Sequence, residues 1–399
     1  MIIKWKSLAA VVVASALVGC GITGIEKEDE EEAETKDDGK ESGTVVGDGG
    51  ATTERAKEAE DISELGLSKA FELTLPGALA LDDSGSSLNL TSDLKSQEAC
   101  EMGNTVKEIT RSLNEVGNFF CHIEAEKDKI KFGVKTKITF EGNTFAHIWV
   151  DTSGDDKVRI GFCSNDEYGE NNQIIDVTGL SDAGPVGVII NKGTNESDDE
   201  DYPGTQKYHR SVEFDMSLEG TAKVLAQDVH ERTHEDESDK FNREVLLTLV
   251  EEGVSEAIVA ARGSWQGGDF SERGRALFDG EYGSAVFENT GTHDGNEYSH
   301  SRKAFFDEPG NVVGEDASEE FAEDGSLHLN KDDLPEYLSD DFAPIDLDGW
   351  VAGGCEGTDA EAELNPDSAE HQACDGDNHK NEHVNCWDEA EFQSGEELE

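Results

Sequence analysis

The sequence predicts an α+β domain, mainly antiparallel β. A long meander is expected to form a curved sheet or partly open barrel with one N-terminal helix, followed by an irregular C-terminal segment that contains disulfides. Three observations lead there. Apolar and polar residues alternate with period two through a succession of short segments. Gly- and Asp-rich turns separate those segments at hairpin-like distances. One clear stretch with helical period comes before most of them, and Ala222, Leu225, Ala226 and Val229 form a second stripe at that spacing.

Taken in order, the β-rich domain is expected over residues 66–310. It opens near Leu67, where AFELTLPGALAL offers short apolar runs around Pro76. Thr105 and Glu108 have capping-box spacing, and Val106, Ile109, Leu113, Val116 and Phe120 follow at helical spacing. That predicts a helix over about 105–120 with one buried face. The period then changes to two in DKIKFGVKTKITFEGN, where Ile130, Phe132, Val134, Ile138 and Phe140 alternate with Lys131, Lys135, Lys137 and Thr139. The alternation recurs in NTFAHIWVDT, KVRIGFCSN and SVEFDMSL. VGVIIN, EVLLTLV, EAIVAARGSW, RALFDG and SAVFEN are further candidates, and helix and strand both stay open for the longer apolar runs. A capped helix and a one-faced meander place the helix against the concave side of the sheet. This architecture is similar to the lipoprotein-carrier families, in which an unclosed barrel holds acyl chains, an analogy of fold that brings no motif with it.

The N-terminus carries an export signal. Lys4 and Lys6 supply a positive start, and the apolar run from Leu8 to Val18 is well short of the roughly 20 residues a spanning helix needs. Leu17, Val18, Gly19 and Cys20 resemble the bacterial lipobox. That resemblance implies a lipoprotein signal peptide over 1–19 and acylation of Cys20, whose chains would hold the protein to a lipid bilayer without a transmembrane helix. Gly21 is not the aspartate that in enteric bacteria retains lipoproteins at the inner membrane, which implies an outer-membrane location. Residues 20–65 then form an acidic tether, too poor in apolar side chains to offset the entropy of ordering.

With 91 acidic against 32 basic residues and a formal charge of -59, the chain is repelled by nucleic acid and by anionic membrane surfaces. Such self-repulsion is relieved by salt, since the Debye length falls to about 3 Å at 1 M. Weak binding of divalent cations is compatible with the acidic surface. Setting Cys20 aside for lipid leaves Cys100, Cys121 and Cys163 early and Cys355, Cys374 and Cys386 late in the chain. An exported chain with six cysteines reads as disulfide-bonded. Three cysteines cannot pair among themselves, so full internal pairing requires a bridge between the two groups. Residues 311–399, acidic and irregular, are then stapled to the main domain.

One catalytic signature is matched outright. In HERTH, His230 and His234 have the spacing of two zinc ligands on a helix, with Glu231 placed to take a proton from a metal-bound water. The stretch from Leu249 to Glu256 resembles the downstream segment of gluzincin peptidases, a resemblance that implies Glu252 as third ligand. Against this stand Asp228, Arg232, Glu235 and Asp236, charges that a buried metal helix cannot carry unpaired. The flanking stretches also read as successive hairpin strands with EEG as a turn. In CDGDNHKNEHVNC, Cys374, His379, His383 and Cys386 read as a disulfide-closed loop or as a metal knuckle. His293 and His300 read as solvated loop histidines. The expectation is therefore an outer-membrane-anchored lipoprotein with a binding role in the cell envelope, taking an apolar or other envelope ligand and no cofactor. The alternative is a tethered zinc hydrolase using His230, His234, Glu252 and Glu231.

Overall fold

A computed structural model describes residues 95–140, 143–151, 158–166, 169–180, 183–197, 204–234, 237–251, 253–265, 268–279, 282–293, 295–307, 327–336, 359–363, 386, 392–393 and 396–398. Cys20, the tether and the stretch around Leu67 lie outside these residues.

The first described elements are a two-residue strand, β1 (Lys95–Ser96), and a long helix, α1 (Gln97–Ala125). At 29 residues it is about 43 Å long. The helix thus starts eight residues before the expected boundary and ends five after it. Its N-cap is Ser96, whose hydroxyl accepts from the Ala99 N–H at 3.2 Å. The Thr105–Glu108 pair lies inside the helix, where the Thr105 hydroxyl donates back to the Glu101 carbonyl. A capping-box spacing is available to any interior Thr that can bond one turn back, and Gly103 and Asn104 do not break the helix. The apolar stripe is where the period places it. Val106, Ile109, Leu113 and Phe120 are fully buried, and Ala99, Met102 and Ile123 extend the stripe at both ends.

Among the described residues twelve strands follow: β2 (Thr136–Phe140), β3 (Asn143–Asp151), β4 (Val158–Asp166), β5 (Gly169–Leu180), β6 (Pro185–Ser197), β7 (Gly204–Leu218), β8 (Thr221–His234), β9 (Glu237–Val250), β10 (Ser255–Trp265), β11 (Gly268–Phe278), β12 (Tyr282–His293) and β13 (Asn296–Asp307). Each pairs antiparallel with the next, so the meander is mainly antiparallel β, as expected. The longer apolar runs all resolve as strands. EVLLTLV belongs to β9 and EAIVAARGSW to β10, with the EEG stretch between them. Gly220 and Gly253 have φ of +67° and +130° in the turns after β7 and β9, where a side chain would be strained.

The sheet is not closed. A short strand from the C-terminal segment lies at each end of the order: β14 (Ala360–Glu363) runs parallel to β2, and β16 (Glu396–Glu397) antiparallel to β13. Between these in sequence, β15 (Phe392–Gln393) pairs with β1. Covering edges in this way blunts the tendency of an exposed strand to recruit another chain. A disulfide joins Cys100 on α1 to Cys386, one cysteine from the early group and one from the late. Cys121 is disulfide-bonded as well.

One face of the sheet shares a single apolar core with α1, drawn from every strand from β2 to β13. It includes Ile138, Val150, Ile160, Val212, Val245, Val259 and Phe306. The opposite face carries a smaller cluster, where Leu329 and Leu334 pack on Val286 of β12. The Ser284 hydroxyl donates to the Leu327 carbonyl there.

Candidate functional site

The antiparallel register lines up side chains of the helix-bearing face into rows that cross the strands. Residues two apart on a strand share a face, so successive rows advance by two. Val212, Ala226, Val245, Val259, Gly274 and Phe287 stand directly opposite one another from β7 to β12 and form an apolar row. The next row, Asn191, Arg210, Asp228, Arg243, Ala261, Glu272 and Asn289, is polar and charged. The row beyond it is Tyr208, His230, Phe241, Gly263, Phe270, Gly291 and Tyr298, where aromatic residues alternate with glycines from β9 onward. Glycine is required at two of these points: a Cβ on Gly263 would meet the Phe270 ring, and one on Gly291 would meet the Tyr298 hydroxyl and the Asp269 carbonyl.

The charged row is tied to the helix. Glu108 of α1 accepts from Arg243 Nη2 at 2.6 Å, and Asp228 accepts from the same nitrogen at 3.2 Å. Arg210 lies 3.1 Å from Asp228 and 3.7 Å from Glu108. Two guanidinium groups thus face two carboxylates, and Asp228 is only 2 % exposed. Burial alone would raise the Asp228 pKa, but Arg210 and Arg243 more than offset it, so the carboxyl is held below its usual range. At the other end of the network Arg302 of β13 donates to Gln97 and lies 3.6 Å from both Glu98 and Glu101. Burial pushes Glu101 up to about 7, with Glu272 and Glu98 adding to it and Arg302 opposing. Burial likewise raises Glu272.

Beside these charges the aromatic row opens with Tyr208, 6 % exposed, and continues through half-buried His230 and Phe241. The His230 ring centroid is 6.3 Å from Tyr208 and 6.0 Å from Phe241. Burial lowers the His230 pKa despite the nearby Asp228, so the imidazole is neutral near pH 7. Its Nδ1 is 3.4 Å from Gln206 Nε2. Several polar atoms of this region are buried without a hydrogen-bond partner among the described residues: the Tyr208 hydroxyl, Asn191 Oδ1, Asn289 Oδ1, Arg210 Nη2 and Arg243 Nε.

The residues singled out from the sequence fall as follows. HERTH is strand, within β8, so His230 and His234 are not one helical turn apart but separated by about 13 Å of extended chain. The helical pairing that two zinc ligands would need is therefore absent, and Glu252 lies outside the described residues. Glu231 alternates to the other face from His230, opposite Lys240. Among the described residues no group of three or more His, Cys, Asp or Glu side chains is placed to hold a metal ion. Cys163 sits on β4, while Cys355, Cys374, His379 and His383 lie outside the described residues. His293 and His300 belong to strands β12 and β13 instead of loops, and His300 stacks on Tyr298 at 6.1 Å. Alternation carries the strand pattern through the polar stretch KYHRSVEF, and its missed signal is that Tyr208 and Arg210 share the phase of Val212 and Phe214. Among the described residues no helix is long and apolar enough to cross a membrane. Compared with known proteins, the chain matches no family model, no curated protein and no solved structure.

Proposed function

We propose that this is a lipid-anchored protein of the outer membrane with a binding role in the cell envelope, its ligand seat being the polar and aromatic end of the helix-bearing face. The anchor rests on the lipobox ending at Cys20. The seat rests on one observation above the rest: Tyr208, Asn191 and Arg210 adjoin on β6 and β7 with polar atoms that are buried and unpartnered among the described residues. Folded chains pair almost all such atoms, because each one left unpaired forfeits its bonds to water. A ligand that supplies the missing partners recovers that free energy.

The same reading has the sheet wrap around α1. Glu101 and Glu108 are about 10 Å apart along the helix axis. They approach Arg302 on β13 and Arg210 on β7, strands six spacings or about 29 Å apart in a flat sheet. Curvature toward the helix brings both arginines within reach. In such a trough the apolar rows are already covered by Val106, Ile109, Leu113 and Phe120, which occupy the space an acyl chain would fill in a carrier. The polar end is what is left for a ligand.

Thermal melting of the full chain with and without a detergent extract of cell envelope tests the seat. The extract should raise the melting temperature of the parent, and Tyr208→Phe and His230→Ala should lose most of the increase. No increase, or an equal one in both variants, refutes a seat at this position.

A further inference from the structure

We infer that the Tyr208 end of the helix-bearing face is a carbohydrate site, taking a neutral sugar ring against His230 and Phe241 with its hydroxyl groups bonded to Tyr208, Asn191 and Arg210. This rests on the binding reading above and names the ligand class.

Three features select the chemistry. The unpartnered atoms are of both kinds: Asn191 Oδ1 only accepts, Arg210 Nη2 only donates, and the Tyr208 hydroxyl does either. A ligand that satisfies all three must donate and accept from closely spaced groups, as vicinal hydroxyls do. An apolar ligand would leave all three unpaired. The groups also lie on adjoining positions of one face, since Asn191 stands directly opposite Arg210 and Tyr208 is two residues from Arg210 on β7. Tyr208 and Asn191 are 6 % and 3 % exposed, so their hydrogen-bonding directions are fixed by packing.

Charge decides against an ion. The two guanidinium groups nearest the seat, Arg210 and Arg243, already face Asp228 and Glu108, so this part of the row is balanced. A phosphate or carboxylate ligand would meet those two carboxylates as well as the arginines. A quaternary ammonium would find rings but leave the Arg210 donor unpaired. The rings suit a sugar: His230 and Phe241 are half-buried, so part of each side chain is left uncovered, and the C–H face of a pyranose packs on such aromatic surface. His230 is neutral, so the seat carries no added cationic charge.

The test uses the full chain, purified in a detergent without a sugar headgroup, and saturation-transfer NMR against methyl glycosides of glucose, galactose, mannose and N-acetylglucosamine and their β-linked dimers. At least one should receive saturation at its ring C–H protons. Tyr208→Phe removes one hydroxyl and keeps the ring, and should weaken that sugar about tenfold with the melting temperature unchanged. Phe241→Leu, an independent second variant, should weaken it by a similar factor. The proposal is overturned if no sugar receives saturation, if both variants bind as the parent does, or if excess sulfate displaces the sugar. A melting shift with envelope extract and no response to any sugar would overturn the sugar assignment while leaving the seat in place. Absence of both would overturn the seat itself.

Discussion

Glu101 offers a direct measure of what the charged row costs. It projects from the second turn of α1 toward Arg302, accepts from Gln97 Nε2 at 3.0 Å, and has its pKa raised from 4.5 to about 7 by burial first, with Glu272 and Glu98 adding to the shift. A raised folded-state pKa means that the protonated form is favoured by folding. The associated stability is fully present below the unfolded value near 4.5 and is lost as pH rises through about 7. At about 1.4 kcal/mol per pKa unit the whole swing is about 3 kcal/mol. Glu101→Gln keeps the shape and the acceptor but cannot ionise. The variant should therefore match the parent near pH 4.5 and exceed it by up to about 3 kcal/mol near pH 8, a rise of roughly 6–12 °C in melting temperature for a domain of this size. Melting both proteins by circular dichroism at fixed high salt, where surface repulsion is screened, isolates the difference. Parallel pH profiles for parent and variant across that window would refute the account of Glu101 as a carboxyl kept protonated by burial.

Asp228→Ala removes the carboxylate shared by Arg210 and Arg243, and denaturant melts should show a loss of about 3–5 kcal/mol because two buried cations lose a partner. Glu231→Ala, on the other face of β8, should stay within about 0.5 kcal/mol of the parent in the same melts. Ser96→Ala should cost about 1 kcal/mol through the lost cap of α1. Cys20→Ala should abolish detergent-phase partitioning, and equal partitioning of variant and parent would remove the anchor.

Most of the architecture was legible because period two is a local signal. SVEFDMSL and VGVIIN each show a buried and a half-buried face without reference to any neighbour, whereas SAVFEN is buried on both faces and stands out as an apolar run. Two things escaped. The start of α1 depends on Ser96 and on Cys100 being held by Cys386, a contact 286 residues away in sequence. The site depends on register, and which residue of β8 faces Arg210 cannot be read from either strand alone. HERTH shows the same limit from the other direction. Its spacing carries chemistry only on a helix, and β8 is fixed as a strand by Val224 and Ala226 facing the core and by the pairing of β7 and β9 on either side.

Register also gives the charged row a structural consequence of its own. In a meander this long, a slip of one residue between neighbours turns the apolar side chains outward and is strongly disfavoured. A slip of two preserves the alternation, so the apolar pattern does little to forbid it: shifting β8 by two against β7 would set Ala226 or His230 opposite Arg210 in place of Asp228. The charged row does forbid it. Asp228 would then face Val212 or Tyr208, and Arg210 and Glu108 would be left buried with the charge balance broken. The glycine–aromatic row adds a steric version of the same rule, because Phe270 fits only beside Gly263 and Tyr298 only beside Gly291. The two rows that hold the proposed seat are thus also the rows that make the strand alignment unique. Their polar atoms can remain unpaired toward a ligand because the ion pairs beside them fix the frame.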